Sequence, residues 1–414
     1  MRLAPFLRLA ASSLLLSSLA RIPSLQADDW PRFRGAGTDG ISKEKNWLGA
    51  WPGGQPKSLW KKSVGTGFAS MTVAGGHLFT TGHSGKEDRV FCLDATTGAE
   101  VWSYAYAQSL DPKYYEGGPS ATPTVDGGRV YGLGKQGDAF CLDAATGKAL
   151  WTRNLHKEHG AELPDWGFAS SAHIEGELVI FNAGISGIAL RKDTGEKVWV
   201  SGKEASGYAT PVPIVNDGKR ALALFGAKQV FAVEPRTGKV LWQFPWVTDY
   251  DVNAADPVVS GDLLFVSSGY GKGGGVIRFG QGQAQQVWFN KEVRAHFSSP
   301  VVIGAHVYAV DAQGGDRDSK LKCLELKTGK VVWQSPVSST GSLIAADGKL
   351  LWLTGSGELV VVEATPAGYR ELARAQVIGG KCWTSPVLSN GRVYVRNAKG
   401  DVICVDVKGD GKVS

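Results

Sequence analysis

The sequence lacks the patterns on which several classes of catalytic and redox site depend. Its five cysteines include no adjacent pair and no Cys-x-x-Cys, and its seven histidines include no His-x-x-x-His. These absences argue against the usual zinc sites, thioredoxin-like redox motifs and covalent haem attachment. No serine stands in the Gly-x-Ser-x-Gly context of a hydrolase nucleophile. If the protein has chemistry of its own, it must come from other residue types.

Basic clusters and long apolar runs are also missing. Lys and Arg number 45 against 39 Asp and Glu, and no segment concentrates them. A nucleic-acid partner is therefore not expected, because such proteins carry a basic patch or stripe. Beyond the N-terminus, no apolar run reaches the length of a bilayer-spanning helix. We predict a chain that does not span a membrane.

The N-terminus has the pattern of a secretory signal. Two arginines, Arg2 and Arg8, precede a short apolar stretch, LAASSLLLSSLA, and small residues follow it. This order predicts a signal peptide over residues 1–27 and export to the periplasm or the cell exterior. The first cysteine, Cys92, lies far from the predicted cut, so we do not expect a lipoprotein. Residues 28–55 form an N-terminal extension to the repeats described next.

Glycine and tryptophan are abundant in place of the missing patterns. The chain has 55 glycines and 14 tryptophans but only 2 methionines. Average proteins contain about 7% glycine, roughly half the proportion found here. Dense glycine among β-branched and aromatic runs is typical of many short strands joined by tight turns.

One ten-residue segment recurs along the chain and indicates the fold. Its five clear copies are LDATTGAEVW, LDAATGKALW, LRKDTGEKVW, VEPRTGKVLW and LELKTGKVVW, and two weaker copies end at Trp288 and Leu372. Each unit of about 40–50 residues contains four short runs that alternate at period 2, the signature of a propeller blade. The Thr-Gly step suits the turn between third and fourth strands, where glycine supplies a positive φ. We predict an all-β propeller.

Cysteine follows the same repeat. Four of the five occupy one equivalent position in successive units, namely Cys92, Cys141, Cys323 and Cys404. A recurring position on a buried strand indicates small apolar core residues, the usual environment of free cysteine. We therefore expect no disulfide framework, despite the predicted export.

The two ends of the chain are expected to close the ring together. The last unit supplies only three strands, whereas PKSLWKKSV (residues 56–64) is a fourth strand without a unit of its own. Pairing them removes an open sheet edge, which would otherwise invite aggregation. The prediction is an eight-bladed propeller of four-stranded antiparallel blades over residues 56–414, with the N-terminal strand completing the last blade.

The repeated Asp-x-x-Thr-Gly-x-x-x-Trp pattern resembles that of the pyrroloquinoline-quinone (PQQ) type propellers. The resemblance covers residues 57–414 and rests on five good copies. The superfamily contains quinoprotein alcohol dehydrogenases and also non-enzymatic propellers of outer-membrane protein assembly, the BamB type. It implies that the repeated tryptophans dock against neighbouring blades and belong to the core.

Asp256 breaks a rule that the other units obey. Aligning the eight first strands places small hydroxyl residues at one column, and Asp256 is the single carboxylate among them. The hydroxyl positions are Ser70, Thr122, Ser170, Thr210, Ser299, Ser342 and Ser385. A carboxylate among crowded strands must be solvated, hydrogen-bonded or bound to metal. Asp256 is accordingly the candidate catalytic residue, and a hydrogen-bonded structural role is the alternative.

Residues near this column could bind a metal or a flat ligand. Asp251 and Asn253 precede Asp256 in the loop TDYDVNAADP, and their oxygens together would suit Ca²⁺. Aromatic side chains recur at the predicted channel mouth and could sandwich a planar ligand or a sugar, or simply plug the channel. The candidate cofactor-binding residues are Trp383, Trp166, Tyr208, Phe297 and Arg396.

Two functions of different class follow from these patterns. The resemblance to quinoproteins implies a dehydrogenase acting on alcohols or sugars, in which Asp256 is the base, PQQ accepts hydride and Ca²⁺ sits beside it. The adjacent-cysteine disulfide of many such enzymes is absent, and the short blades leave little room for the insertions that bury the cofactor. We therefore favour a monomeric, non-catalytic binding or scaffolding protein of the cell envelope, whose partner is a protein or a small-molecule ligand at the channel mouth.

Overall fold

The computed structural model describes residues 29–312 and 318–409. The predicted signal peptide, residues 1–27, lies outside the described residues. Three helical segments are short: two 3₁₀ turns at Pro52–Gly54 and Asp249–Asp251, and one α-helix, α1 (Leu155–His159). No helix in the described part of the chain is both long and apolar enough to cross a bilayer.

Strands make up nearly all of the regular structure. In chain order they are β1 (Ile41–Ser42), β2 (Lys57–Ser63), β3 (Thr72–Ala74), β4 (His77–Ser84), β5 (Glu87–Asp94), β6 (Glu100–Ala107), β7 (Thr124–Asp126), β8 (Arg129–Leu133), β9 (Asp138–Asp143), β10 (Ala149–Asn154), β11 (His173–Glu175), β12 (Leu178–Phe181), β13 (Ile188–Arg191), β14 (Lys197–Val200), β15 (Val212–Asn216), β16 (Lys219–Phe225), β17 (Gln229–Val233), β18 (Val240–Pro245), β19 (Val258–Ser260), β20 (Leu263–Ser268), β21 (Gly273–Gly280), β22 (Gln283–Asn290), β23 (Val301–Ile303), β24 (His306–Asp311), β25 (Lys320–Glu325), β26 (Val331–Gln334), β27 (Gly341–Ala346), β28 (Lys349–Thr354), β29 (Glu358–Glu363), β30 (Glu371–Gln376), β31 (Val387–Ser389), β32 (Arg392–Arg396) and β33 (Asp401–Asp406).

These strands form eight sheets, which confirms the predicted eight-bladed propeller. Blades 1 to 6 are β3–β6, β7–β10, β11–β14, β15–β18, β19–β22 and β23–β26, each a four-stranded sheet. Blade 7 is β27–β30 with β1 added in parallel to its first strand. Blade 8 is β31–β33 completed by β2. The buried apolar side chains cluster between successive blades, so each blade is stabilised by its two neighbours.

The glycine and tryptophan of the repeat pack against each other across blade boundaries. A Cβ added to Gly147 would lie 2.6 Å from the Trp102 ring, and one added to Gly195 would lie 2.7 Å from Trp151. The same contact recurs at Gly98, Gly238 and Gly329. In addition to its positive φ, each glycine leaves the space into which the preceding blade's indole fits. This double requirement explains why the repeat preserves glycine four residues before tryptophan.

Gly147→Ala is expected to lower the free energy of unfolding by about 2–3 kcal/mol. Alanine is strained at the positive φ of this position, and its Cβ would displace the Trp102 ring. Urea denaturation would measure the change. Gly127→Ala is the matched control, because Gly127 also has a positive φ, of 55°, but a Cβ there would meet nothing within 4 Å. Equal losses in the two variants would contradict the packing role of Gly147.

Ring closure joins the two ends of the chain as predicted. β2 pairs antiparallel with β33, in a register that sets Trp60 opposite Cys404. The Trp60 indole donates a hydrogen bond to Ala95 O of blade 1 at 3.2 Å, and the Tyr394 hydroxyl donates to the same carbonyl at 3.0 Å. Blade 8 is therefore tied both to the N-terminal strand and to blade 1. All five cysteines are buried and form no disulfide.

The N-terminal extension crosses the disc on the face that carries the turns between first and second strands. It hydrogen-bonds to blades 1, 2, 6, 7 and 8 in turn, through Trp30 with Val73, Pro31 with Val125, Arg34 with Pro300, Gly40 with Ala345 and Leu48 with Val407. Because these contacts span the ring, the extension closes one end of the central channel. The opposite end stays open and forms the site described next.

Candidate functional site

The open end of the channel is a cavity of about 870 Å³. Its lining residues come from loops that enter the first strands of the blades, from the N-terminal extension and, at Tyr270, from the loop between β20 and β21. They are Phe33, Phe68, Ser70, Lys113, Tyr114, Tyr115, Ser120, Thr122, Asp165, Trp166, Ala169, Ser171, Tyr208, Thr210, Tyr250, Val252, Ala254, Asp256, Tyr270, His296, Phe297, Trp383, Thr384 and Ser385. The cavity therefore has a floor rich in hydroxyls and walls rich in aromatic rings.

The hydroxyl column forms a ring of hydrogen bonds between neighbouring blades. The backbone N–H of Ser70 donates to Thr122 Oγ1 at 2.9 Å, and the N–H of Thr122 donates to Ser171 Oγ at 3.0 Å. Further round, the N–H of Thr210 donates to Asp256 Oδ1 at 2.8 Å. Each side-chain oxygen thus satisfies a backbone donor near the axis that has no strand partner.

The blade 3 member of this ring is Ser171, and the alignment that placed Ser170 there was one residue out of register. Ser171 stands two residues before β11, as Thr210 stands two residues before β15. Ser171 N donates to Thr210 Oγ1 at 3.3 Å, whereas Ser170 Oγ accepts from Asn182 N inside blade 3. The Ser-Ser pair offers a hydroxyl at both positions, so the sequence could not separate them.

Asp256 takes the place of a hydroxyl residue in the ring, and only one of its two carboxylate oxygens takes part in the ring of hydrogen bonds. Its Oδ1 accepts the Thr210 N–H, while Ser299 Oγ accepts the N–H of Asp256 at 2.9 Å. Its Oδ2 accepts no hydrogen bond from the described residues, and the residue lines the cavity. Burial raises the pKa of Asp256 from its ordinary 3.8 to about 6, and the nearby positive charge of Arg34 opposes that rise.

The floor beneath Asp256 comes from the N-terminal extension. Phe33 lines the cavity, and Arg34, buried at 3% exposure, lies behind the floor. Arg34 Nη2 donates to Pro300 O at 2.6 Å and to Asp39 O at 2.8 Å. The repeat pattern could not indicate Phe33 or Arg34, because the extension belongs to no blade and its residues have no counterpart in the repeats.

Seven side-chain rings form a continuous arc around the mouth, here called the aromatic arc. Successive ring centroids are 4.6 to 5.4 Å apart, in the order Tyr115, Phe68, Trp383, Phe297, His296, Tyr270 and Tyr250. Burial lowers the pKa of His296 from 6.5 to about 4, so its ring is uncharged at neutral pH. Trp166 and Tyr208 form a separate pair, with centroids 6.2 Å apart, on another part of the wall.

Two tyrosines of the arc have left-handed backbone conformations. The φ of Tyr250 is 64° and that of Tyr270 is 50°, a region in which a bulky side chain is a genuine outlier. Their rings meet at 5.3 Å, and Tyr250 is 67% exposed. Strain of this kind concentrates at ligand sites, where the surrounding structure maintains it.

The structure separates the three candidate metal ligands. Asn253 is buried: its Nδ2 donates to Ala227 O at 2.8 Å, and its Oδ1 accepts from Ser268 Oγ at 2.7 Å. Asp251 lies 3.6 Å from Lys228 Nζ and does not line the cavity. Only Asp256 faces the cavity, and no group of three or more His, Cys, Asp or Glu within residues 29–312 and 318–409 could hold a metal ion.

This donor set does not fit Ca²⁺, which takes about six to eight oxygen ligands. Nor do the described residues supply cations for the carboxylates of PQQ, because Lys113 is the one basic residue among those that line the cavity, and it donates to the backbone carbonyl of Asp165. The aromatic arc alone would suit a planar ring. The cavity thus combines aromatic walls with one buried carboxylate, that of Asp256.

Four of the five candidate cofactor-binding residues meet in the cavity, namely Trp383, Trp166, Tyr208 and Phe297. Arg396 does not line it. Its fully buried guanidinium donates to Ala69 O at 2.8 Å, Thr81 O at 2.7 Å and Gly65 O at 3.1 Å, across the junction of blades 8 and 1. Burial lowers the pKa of Arg396 to about 9. This arginine joins backbone carbonyls across the closure.

Ionisation of Asp256 is expected to make stability depend on pH. Because its folded pKa of about 6 exceeds 3.8, its contribution to stability is full below about pH 4 and is lost as the pH rises through about 6, a change of about 2–3 kcal/mol. Urea unfolding across this range, for the wild type and Asp256→Asn, would measure it. Between about pH 4 and pH 6, the difference in free energy of unfolding between the two proteins should change by that amount. A difference that does not vary with pH would contradict the raised pKa of Asp256.

The chain also matches a known protein family over most of its length. The family described as outer membrane protein assembly factor BamB matches residues 44–131, 106–335 and 317–414. BamB from Moraxella catarrhalis is 16% identical, with a TM-score of 0.62 over 85% of this chain and 100% of that chain. A search of curated proteins found no match.

Two dehydrogenase structures share the same architecture. A europium-containing methanol dehydrogenase has a TM-score of 0.69 at 13% identity, covering 90% of each chain. Quinohemoprotein alcohol dehydrogenase from Comamonas testosteroni has a TM-score of 0.68 at 14% identity, covering 94% of this chain and 82% of that chain. At such identities the likeness shows the fold alone, which hosts both binding and catalysis.

Proposed function

This chain belongs to the family of outer membrane protein assembly factor BamB, and from that premise we propose that it is an exported binding protein of the cell envelope. It holds a ligand at the open end of its channel and catalyses no reaction there. Export is supported by the signal pattern of residues 1–27, and periplasmic or extracellular residence follows from it.

The observation that carries the binding role is the cavity of about 870 Å³. Ligand sites are concave, mostly apolar and furnished with a few convergent polar groups. Here the apolar surface is the aromatic arc, and the polar group is the carboxylate of Asp256, which lines the cavity. The closed floor supports the same role, because a ligand can enter from one face only.

A dehydrogenase is the competing function, and the cavity supports it less. Hydride transfer to PQQ would need a metal and cations around that cofactor, and the lining residues supply neither. Asp256 alone could act as a base, but Asn253 and Asp251 are held by Ser268 and Lys228 instead of facing the cavity.

One experiment separates the two functions. The exported chain is incubated with PQQ and Ca²⁺, and dye reduction is followed with a panel of alcohols. A thermal-shift screen of small organic compounds runs in parallel. We expect no alcohol-dependent dye reduction and at least one compound that raises the Tm of the wild type but not of Trp383→Leu. Phe289→Leu, on the outer strand β22, is the aromatic control outside the mouth. Dye reduction abolished by Asp256→Asn would instead establish the dehydrogenase.

A further inference from the structure

We propose that the ligand of this cavity carries an organic ammonium group, which sits within the aromatic arc and faces the Asp256 carboxylate. The inference rests on the proposed binding function and names the chemical class of the ligand.

Asp256 supplies the strongest available acceptor in the cavity. The residue is 4% exposed, and its Oδ1 is taken by Thr210 N. The floor hydroxyls of Thr122, Ser171 and Thr210 already accept backbone hydrogen bonds within the ring. Among these floor acceptors, Asp256 Oδ2 is the one that accepts no hydrogen bond from the described residues, and Arg34 behind the floor is the cation whose charge acts on this carboxylate. A buried carboxylate gains most from a cation, because attraction between charges is strong away from water.

The aromatic arc provides the second feature that a cation requires. Ring faces carry a negative quadrupole, and cages of several rings are the usual recognition device for quaternary ammonium ligands. The arc already binds one cation, because Lys381 Nζ lies over the Trp383 ring, 4.4 Å from its centroid. Lys381 is not among the described lining residues, whereas Trp383 is, so the cavity can bring a ligand to the Trp383 ring.

The charges of the lining residues point the same way. In the part of the chain that the structure describes, the acidic lining residues are Asp165 and Asp256, and the one basic lining residue is Lys113, whose ammonium donates to the backbone carbonyl of Asp165. His296 is uncharged at neutral pH. Arg34 lies outside the lining, and two backbone carbonyls hold its guanidinium. The described lining residues therefore carry two acidic groups and one basic group, and Arg34 offsets part of the Asp256 charge from behind the floor.

The strained tyrosines complete the site at its entrance. Tyr250 and Tyr270 would both be less strained as glycine, yet they place contacting rings at the rim of the cavity. Such a backbone cost is consistent with a contact that the ligand uses. We infer that these two rings close over the ammonium group and contribute to its selection.

Choline and its uncharged isostere 3,3-dimethylbutan-1-ol are the probes that test the proposal. Binding to the full exported chain is followed by tryptophan fluorescence, to which Trp166 and Trp383 contribute, and by calorimetry. Choline is expected to bind saturably and at least about tenfold more tightly than the isostere, since only the charged probe gains cation–π and carboxylate attraction.

Variants locate the interaction. Asp256→Asn keeps an oxygen for Thr210 N and is expected to weaken choline binding at least about tenfold by removing a desolvated charge partner. Asp262→Asn, whose side chain is 62% exposed in the turn between β19 and β20, is the control and should leave it unchanged. Tyr250→Gly should weaken choline binding without lowering the Tm, a combination that a purely structural tyrosine would not produce.

The outcomes distinguish this inference from the proposed function. Equal affinity for choline and the isostere would overturn the ammonium class. Binding of maltose but not choline, lost in Trp383→Leu, would also overturn it while leaving the proposed binding function intact. Failure of choline, maltose and PQQ with Ca²⁺ alike to bind would overturn both.

Discussion

Trp60→Ala is expected to lower the free energy of unfolding by about 3–5 kcal/mol, the usual cost of truncating a buried tryptophan. Trp60 is 9% exposed, fills the space above Gly98 of blade 1 and lies 5.9 Å from the Tyr394 ring of blade 8. It therefore joins the three segments that meet at the closure. β2 belongs to blade 8 through its pairing with β33. The substitution weakens the packing that holds this strand in place, so it should also release β2 from the ring.

Limited trypsin digestion tests the release of β2 directly, since Lys61 and Lys62 lie within it. Native-state cleavage at these residues should appear in Trp60→Ala. Trp151→Ala is the matched control, because Trp151 packs on Gly195 in the same way but belongs to a blade formed by one continuous segment. Its stability should fall by a similar amount without cleavage in β2. Identical digestion of the two variants would contradict a special role for the closure strand.

Arg34→Leu is expected to lower the free energy of unfolding by about 3–5 kcal/mol at neutral pH. This is the usual loss when one of two neighbouring buried charges, here Arg34 and Asp256, is removed. The change leaves Pro300 O and Asp39 O without their donor, and it removes the positive charge that lowers the pKa of Asp256. The loss should shrink below about pH 4, where Asp256 is neutral in both proteins. Urea unfolding at the two pH values would measure it.

A double-mutant cycle shows how much of this loss passes through Asp256. In the Asp256→Asn background, Arg34→Leu should cost less at neutral pH, because no carboxylate remains to be stabilised. Arg220→Leu is the control: Arg220 forms a surface ion pair with Glu175 at 3.0 Å with its side chain 55% exposed, and such pairs contribute about 0–1 kcal/mol. A loss from Arg34→Leu no greater than that from Arg220→Leu would contradict the buried role of Arg34.

The repeat made most of the fold predictable from the sequence. Four alternating runs per unit, five good copies of the glycine–tryptophan step and an incomplete last unit predicted eight blades and the closing strand, and the structure confirms them. Repetition helps because each blade must pack against its neighbours in the same way. The fifth unit, which ends at Trp288, is a weak copy and lacks the repeat glycine. Trp242 of blade 4 therefore has no such glycine to pack against in the next blade, and its indole N–H donates to Asn216 Oδ1 of its own blade at 2.8 Å.

The candidate site was less predictable. The first-strand alignment singled out Asp256, and four of the proposed aromatic residues do line the cavity. Sequence proximity grouped Asn253 and Asp251 with Asp256, but the loop turns Asn253 inward and Asp251 toward Lys228. Arg396 was expected at the mouth, and it lies in the closure because carbonyls of blade 1 surround it.

By itself, the sequence determined whatever is repeated: the class of fold, the number of blades, the tryptophan core and the one carboxylate in a column of hydroxyls. Tertiary structure alone decided what is not repeated. The N-terminal extension crosses the channel and sets Phe33 and Arg34 beneath Asp256, and loops of different blades bring seven rings into one arc. These contacts join residues far apart in the chain, and their partners depend on side-chain directions that no local pattern records.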